Sequence, residues 1–278
     1  MQTLTPDATR PHQLPQLAHA RNPGMALDLD WVASVQANTS AIERRAASIG
    51  GRRTVFAPVA GPPFVRCLDK GRRYGTIEDF RNFIKLAQHS PNFHHSGGTI
   101  CEPTDIPVNK RHLDMLHAHM TLSDKPFMGS VTAPERAADS VAMAKILFGD
   151  AFVDQNTVMT SLININSPMT FDGIMMGALE VYAQANQAAI VSPFIVGGAM
   201  APVTVAGTLT QVLAEVLAGV SYSQLVRAGA PVIAGAFVTS IDMNSGAPTF
   251  GTPEAAHITY GVGQLVRRLG LPYRSAGS

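Results

Sequence analysis

The chain has 278 residues, of which 46% are hydrophobic and only 15% charged, with 21 basic against 20 acidic side chains. That balance supports a filled core and excludes disorder, and a net charge of +1 excludes a chain-wide field for nucleic acid or an anionic membrane. Cys67 and Cys101 are too few for a disulfide scaffold, no run of about 20 uninterrupted apolar residues reads as a membrane span, and no secretory signal opens the chain. No nucleic acid and no membrane are therefore expected as partners, and the cytoplasm is the expected compartment.

Residues 1–53 read as an N-terminal extension with one helix over 30–49, carrying Val32, Val35, Ile42 and Ile49 on one side and Arg44 and Arg45 on the other. From Thr54 onward, short apolar runs alternate with longer helical patterns. Strands are expected over 54–59, 93–100, 126–132, 157–164, 189–196 and 231–239, and Leu271 and Pro272 open a seventh. Helix starts are marked by Thr76 with Asp79, by Thr132 with Pro134 and Glu135, by Ser167 with Pro168, and by Thr252 with Pro253 and Glu254. The clearest helical stripe is Leu209, Val212, Leu213, Val216, Leu217 and Val220. Pro193 removes a ladder donor, so a bulge is expected near Ser192.

The strand starts at 93, 126, 157, 189 and 231 are 33, 31, 32 and 42 residues apart, which suits the roughly 30 residues of a strand, a helix and the crossover to a parallel neighbour. Their lack of clean alternation fits strands covered on both faces. The fold class is therefore α/β. Six or seven such units fit either an open doubly wound sheet or a barrel, which needs eight and whose last part is then absent.

In parallel α/β folds, sites lie at the carboxyl ends of strands. There the chain places His94-His95-Ser96-Gly97-Gly98, Asn164-Ile165-Asn166-Ser167-Pro168, Gly197-Gly198-Ala199-Met200 and Thr239 to Gly246. Glycine pairs let a flat ligand approach the backbone, and amides donate and accept without charge. His112, His117 and His119 lack metal-ligand spacing and read as structural, and no metal is expected. Cys101 has no paired base, and no phosphate loop or nucleophile elbow occurs. Lys110, Lys125 and Lys145 fall in or beside helices, which argues against a Schiff-base lyase or aldolase. Phe56, Phe64, Phe93, Phe127, Phe194, Phe237 and Tyr273 lie near strand ends. Most belong to the core, yet two or three facing the mouth suffice to hold a quaternary ammonium by cation–π attraction.

Several ordered runs carry a family resemblance. Ala57-Pro58-Val59-Ala60-Gly61-Pro62-Pro63, Asn164-Ile165-Asn166-Ser167-Pro168-Met169, the run from Gly197 to Gly207, Ala214-Glu215-Val216-Leu217-Ala218-Gly219, the run from Gln224 to Ile233, and Gly251-Thr252-Pro253-Glu254 resemble the trimethylamine methyltransferase family. The resemblance covers about residues 54–277.

It implies a TIM (β/α)8-type barrel, incomplete at the C-terminus, with residues 54–278 as a partial methyltransferase domain. The implied activity moves a methyl group from trimethylamine or a betaine-type quaternary amine to the cobalamin of a partner corrinoid protein. Some members present trimethylamine with a pyrrolysine, and others lack it and use quaternary amines such as glycine betaine. Family members continue past Ser278, so an in-frame amber codon or a partial sequence is the expected reason for the shorter chain. Exposed sheet edges then predict a chain that self-associates, as a homo-oligomer, or is poorly active. The residues expected to face substrate or cobalamin are His95, Asn164, Asn166 and Gly198, with Glu215 on the following helix as a further candidate. No residue is assigned as the catalytic group. A non-catalytic or degenerate betaine-binding partner of a corrinoid protein is the alternative.

Overall fold

The computed structural model describes residues 54–59 and 61–275, and the helix expected over 30–49 lies outside them. The chain divides into two compact units, Met1–Ser130 with Glu135–Thr160, and Val131–Pro134 with Ser161–Ser278.

In the first unit, the segments expected as the first two strands are joined by a single parallel bridge, Phe56 to His95. Backbone bonds still run in the expected order, from Ala57 N–H to His95 O (3.0 Å), Ser96 N–H to Pro126 O (2.8 Å) and Met128 N–H to Gly97 O (3.0 Å). Longer ladders fail because Pro58, Pro62 and Pro63 have no N–H to donate, and because Gly97 turns the chain at φ +91°. A hairpin not expected from the sequence follows, β1 (Phe64–Cys67) with β2 (Gly71–Tyr74), antiparallel with Phe64 opposite Tyr74. Its many charged residues hide it from a hydrophobicity pattern.

Thr76 caps α1 (Ile77–His89) in a complete capping box with Asp79. The Arg73 guanidinium grips the same carboxylate through both nitrogens, at 2.5 and 2.6 Å. Next come α2 (Arg111–Leu122), β3 (Phe127–Met128), α3 (Pro134–Phe148), α4 (Asp150–Gln155) and the start of β4 (Met159–Ile165). Strand β3 is shorter than expected and pairs in parallel with β4, Phe127 opposite Met159. Pro134 is the first residue of α3, so Thr132 stands one residue ahead of the cap position. Phe80, Ile84, Cys101 and Ala118 form the core between α1 and α2.

The Arg73 hydrogen bonds, aided by Thr76, hold the Asp79 carboxyl well below the usual carboxylate range. A depressed folded-state pKa means stability that is present above the unfolded value of about 4 and fades as pH falls below it. Asp79→Ala should therefore cost about 1 to 2 kcal/mol at pH 7, the pair being only partly buried, and much less at pH 2. Thermal melts of both proteins at the two pH values check this, and an equal gap at both would refute it.

In the second unit β4, β5 (Ala188–Gly197) and β6 (Val232–Ile241) are consecutive neighbours. Strand β5 pairs in parallel with β6, and β8 (Tyr273–Ser275), at the expected seventh position, pairs in parallel with β6. The bulge expected near Ser192 is absent. The register is the same on both sides of Pro193, with Val191 opposite Ala234 and Phe194 opposite Phe237, so the proline costs one bond and inserts no residue.

The helices α5 (Gly173–Gln184), α6 (Val205–Val226) and α7 (Pro253–Arg268) follow their strands, and a stub, β7 (Pro248–Thr249), pairs antiparallel with the end of β6. Pro253 opens α7 behind Thr252, as expected. Ser167-Pro168 opens no helix: α5 starts at Gly173 behind Asp172, whose carboxylate accepts Met175 N–H (2.8 Å).

Ile195, Ala234, Ala236 and Val238 pack against Val212 and Val216 of α6 and Ile258, Val262 and Val266 of α7. Helix α6 is long and apolar enough to cross a membrane by length and composition, yet it sends those two valines and Glu215 into the interior. At Gly219 a Cβ would lie 2.6 Å from Val191 Cγ1, so the bare backbone is what lets α6 press against β5.

Candidate functional site

Side chains alternate across a strand, so the residues next to those facing the helices face the other way. On β5 and β6 those neighbours are Phe194 and Phe237. They are directly paired, remain 37% and 36% exposed, and stack with ring centres 5.3 Å apart. Phe250 extends the row, 5.7 Å from Phe237. It is positioned by hydroxyls: Thr239 donates to the Thr249 carbonyl, and Ser240 Oγ lies 2.7 Å from Thr249 Oγ1. The result is three phenyl rings toward the carboxyl ends of parallel strands, on the face the helices leave uncovered. Ring faces carry partial negative charge and attract cations.

Asn164 and Asn166, at the carboxyl end of β4, are exposed and alternate with buried Ile163 and Ile165. Among the described residues their side-chain amides make no hydrogen bond, so both are available to a ligand. Gly198 turns the chain after β5 at φ +92°, where a Cβ would come 2.9 Å from Ile241 Cγ2. Its glycine identity is thus required by the backbone.

Glu215 is buried to 1% exposure and faces the loop after β4. Its oxygens accept Ser167 Oγ–H (2.6 Å), Met169 N–H (2.8 Å) and Gln211 Nε2–H (2.9 Å). Gln211 also donates to Met200 O (2.8 Å) in the loop after β5. Two neighbouring residues of α6 thereby fasten the loops that follow β4 and β5.

In the first unit, His95 is buried with both ring nitrogens engaged. Its Nδ1 accepts Gly97 N–H (3.0 Å), which puts the proton on Nε2 for donation to Thr160 Oγ1 (3.1 Å). Phe56 stacks on the ring at 4.2 Å. His119 is fully buried, donates from Nε2 to Gly98 O (3.1 Å) and is pulled down to about 4 by burial. His112 meets Asp139 at 2.8 Å. Lys125 Nζ donates to Ala87 O, Gln88 O and Ser90 O at the end of α1, an arrangement that closes a helix and leaves no free amine for a Schiff base. Burial pushes the Cys101 thiol up to about 11, so it holds little thiolate at neutral pH.

A family model described as trimethylamine methyltransferase (MTTB) matches residues 30–278. The chain belongs to the trimethylamine methyltransferase family. It is 46% identical over 230 residues to a glycine betaine methyltransferase of Desulfitobacterium hafniense (strain Y51), a match covering 82% of this chain and 48% of that one. With the proline betaine:corrinoid methyltransferase of Eubacterium limosum it shares 25% identity over 225 residues, 77% of this chain and 46% of the relative. A trimethylamine methyltransferase of Methanosarcina mazei matches at 41% over 81 residues, 29% of this chain and 16% of the relative. This family member thus spans about half the length of the betaine methyltransferases it matches.

Of the residues expected from sequence, Asn164, Asn166 and Gly198 lie at strand ends and loops of the second unit, Glu215 lies inside its helix α6, and His95 belongs to the first unit. Sequence reasoning named Phe194 and Phe237 among seven strand-end aromatics without choosing them. Phe250 and Gln211 went unnoticed. A helical spacing of four between Gln211 and Glu215 was the available signal for the second; for Phe250 there was none short of the β6–β7 pairing.

Proposed function

We propose that this chain is part of a methyltransferase that moves a methyl group from a quaternary amine to the cobalamin of a partner corrinoid protein in the cytoplasm. The observation that carries the reading is the exposed Phe194–Phe237–Phe250 row at the strand ends, a surface suited to a cation without a hydrogen to donate. The activities for which the similar betaine methyltransferases are named point the same way.

A quaternary nitrogen leaves as a neutral amine, keeping the electron pair of the broken N–CH3 bond, so the protein's task is to orient the methyl group and exclude water. The rings would hold the remaining N-methyl groups, and the Asn164 and Asn166 amides would fix polar parts of the substrate. Cobalamin, when brought by its partner, supplies the nucleophile. The loops fit such an approach. Met169, Val203 and Met243 are exposed at 66%, 73% and 79% after β4, β5 and β6, apolar side chains on three successive loops, with Val203 beside the backbone of Gly198. We extend the proposal to a (β/α)8 barrel of which this chain forms a part, on the strength of the parallel β5, β6 and β8. The apolar groove of about 510 Å³ lined by Leu209, Leu213, Leu217 and Leu265 is formed by helices and offers nothing for this chemistry.

The test is spectroscopic. The whole gene product is mixed with cob(I)alamin, or with the reduced corrinoid protein, and with glycine betaine, proline betaine or trimethylamine. Methylcobalamin is expected with a quaternary amine. A folded product that binds the cation and transfers no methyl group, even with the corrinoid protein present, would favour the non-catalytic reading instead.

A further inference from the structure

Resting on that reading, we propose that Arg274 binds the carboxylate of the substrate, which makes the site selective for a betaine, an amino acid with a fully methylated nitrogen, over amines that lack an acid group. Strand β8 puts Tyr273 opposite Ala234 and Arg274 opposite Gly235. Tyr273 packs into the core beneath α7 and donates from its hydroxyl to Thr259 O (3.2 Å). Arg274, the next residue, therefore projects from the other face, the one that bears Phe194 and Phe237.

Its neighbours on that face give it room and a target. Gly235 beside it has no side chain to cover the guanidinium. Phe237 lies two residues further along β6, a diagonal position about 7 to 8 Å away that a long side chain reaches. Nothing among the described residues uses the charge. Arg274 is half-buried, burial lowers its pKa from the ordinary value, and among the described residues it makes no side-chain hydrogen bond or ion pair. A partly desolvated guanidinium without a counter-ion is costly, and its planar fork is matched by a carboxylate held through two parallel hydrogen bonds. A betaine carries such a group a short distance from its methylated nitrogen. With the nitrogen on the rings, its carboxylate is directed along β6 toward Arg274.

Calorimetric titration of the protein with glycine betaine and with tetramethylammonium tests the assignment, on the wild type, R274Q, R274K and F237L. We expect R274Q to bind glycine betaine about 10- to 100-fold more weakly while its affinity for tetramethylammonium stays within about twofold. R274K, with charge but no fork, falls between. F237L weakens both ligands. If R274Q binds glycine betaine as the wild type does, or loses both ligands together, Arg274 is not the carboxylate site, whereas the ring reading survives as long as the wild type binds tetramethylammonium. A wild type that binds neither probe overturns the ring reading and this inference with it.

Discussion

Replacing Phe194 and Phe237 together by leucine is expected to weaken binding of tetramethylammonium and of glycine betaine by about 10- to 100-fold. A cation over a phenyl ring gains about 0.5 to 1 kcal/mol when exposed and about 2 when desolvated. Both rings are about one-third exposed and stack on each other in the same row, so two of them together supply about 1.5 to 3 kcal/mol, and about 1.4 kcal/mol is tenfold in affinity. Leucine keeps most of the apolar bulk and removes the ring quadrupole. It should cost the fold only about 1 kcal/mol per site. Of the single variants, Phe237→Leu should be the more damaging, because Phe237 is the ring that touches both Phe194 and Phe250. A carbon isostere of glycine betaine, 3,3-dimethylbutyrate, keeps the carboxylate and puts a neutral carbon in place of the charged nitrogen, which separates charge from shape. It should bind wild type and double variant alike. Calorimetry with the three ligands decides: equal affinity of the double variant and the wild type for the two quaternary ammonium ligands would remove the rings from the site.

How much of this was legible beforehand follows from which physical signals survive in a linear sequence. Strands β4, β5, β6 and β8 fall where short apolar runs were expected, because a strand buried on both faces must be apolar throughout. The ordered motifs from Ala57 to Glu254 carried the family, and the match over residues 30–278 bears that out. The β1–β2 hairpin was illegible because its strands carry Arg66, Arg72 and Arg73 around an aspartate–lysine turn rather than an alternating apolar row. The deeply buried stripe of α6 was legible only through Val212 and Val216, for a different reason. It consists of Thr208, Val212, Glu215, Val216, Gly219 and Ser223, half of them polar. The polar members are satisfied locally, Thr208 Oγ by Pro202 O (2.8 Å) and Ser223 Oγ by Val220 O (2.7 Å), so they can be buried without an apolar side chain to betray it. At the site, Asn164 and Asn166 could be named because polar residues at the end of an otherwise apolar strand stand out. The ring row could not, since Phe194, Phe237 and Phe250 meet only through strand register and the Ser240–Thr249 pairing.

Glu215→Ala should destabilise the second unit by about 3 to 5 kcal/mol and lower substrate binding further than the lost stability explains. The carboxylate is buried, and three donors converge on it from Ser167, Met169 and Gln211. Truncation leaves those donors unpaired, at about 1 to 3 kcal/mol for each that stays buried, and opens a cavity besides. Met169 adds to the effect. Its backbone sits at φ +57°, a left-handed conformation that costs a non-glycine residue about 1 to 2 kcal/mol and persists because the surroundings, the Glu215 bond to its N–H among them, hold it there. With that bond gone the loop can relax, and Asn166, three residues upstream, moves with it. Glu215→Gln keeps the volume and one acceptor, so about 1 to 2 kcal/mol is expected. Asn166→Ala is the informative contrast. Its exposed amide supports nothing, so stability should stay within about 0.5 kcal/mol while binding of glycine betaine falls. Denaturant titration beside calorimetry separates the two residues. A Glu215→Ala protein as stable as the wild type would show that the carboxylate does not hold the loop, and the role left for it would then lie with the ligand.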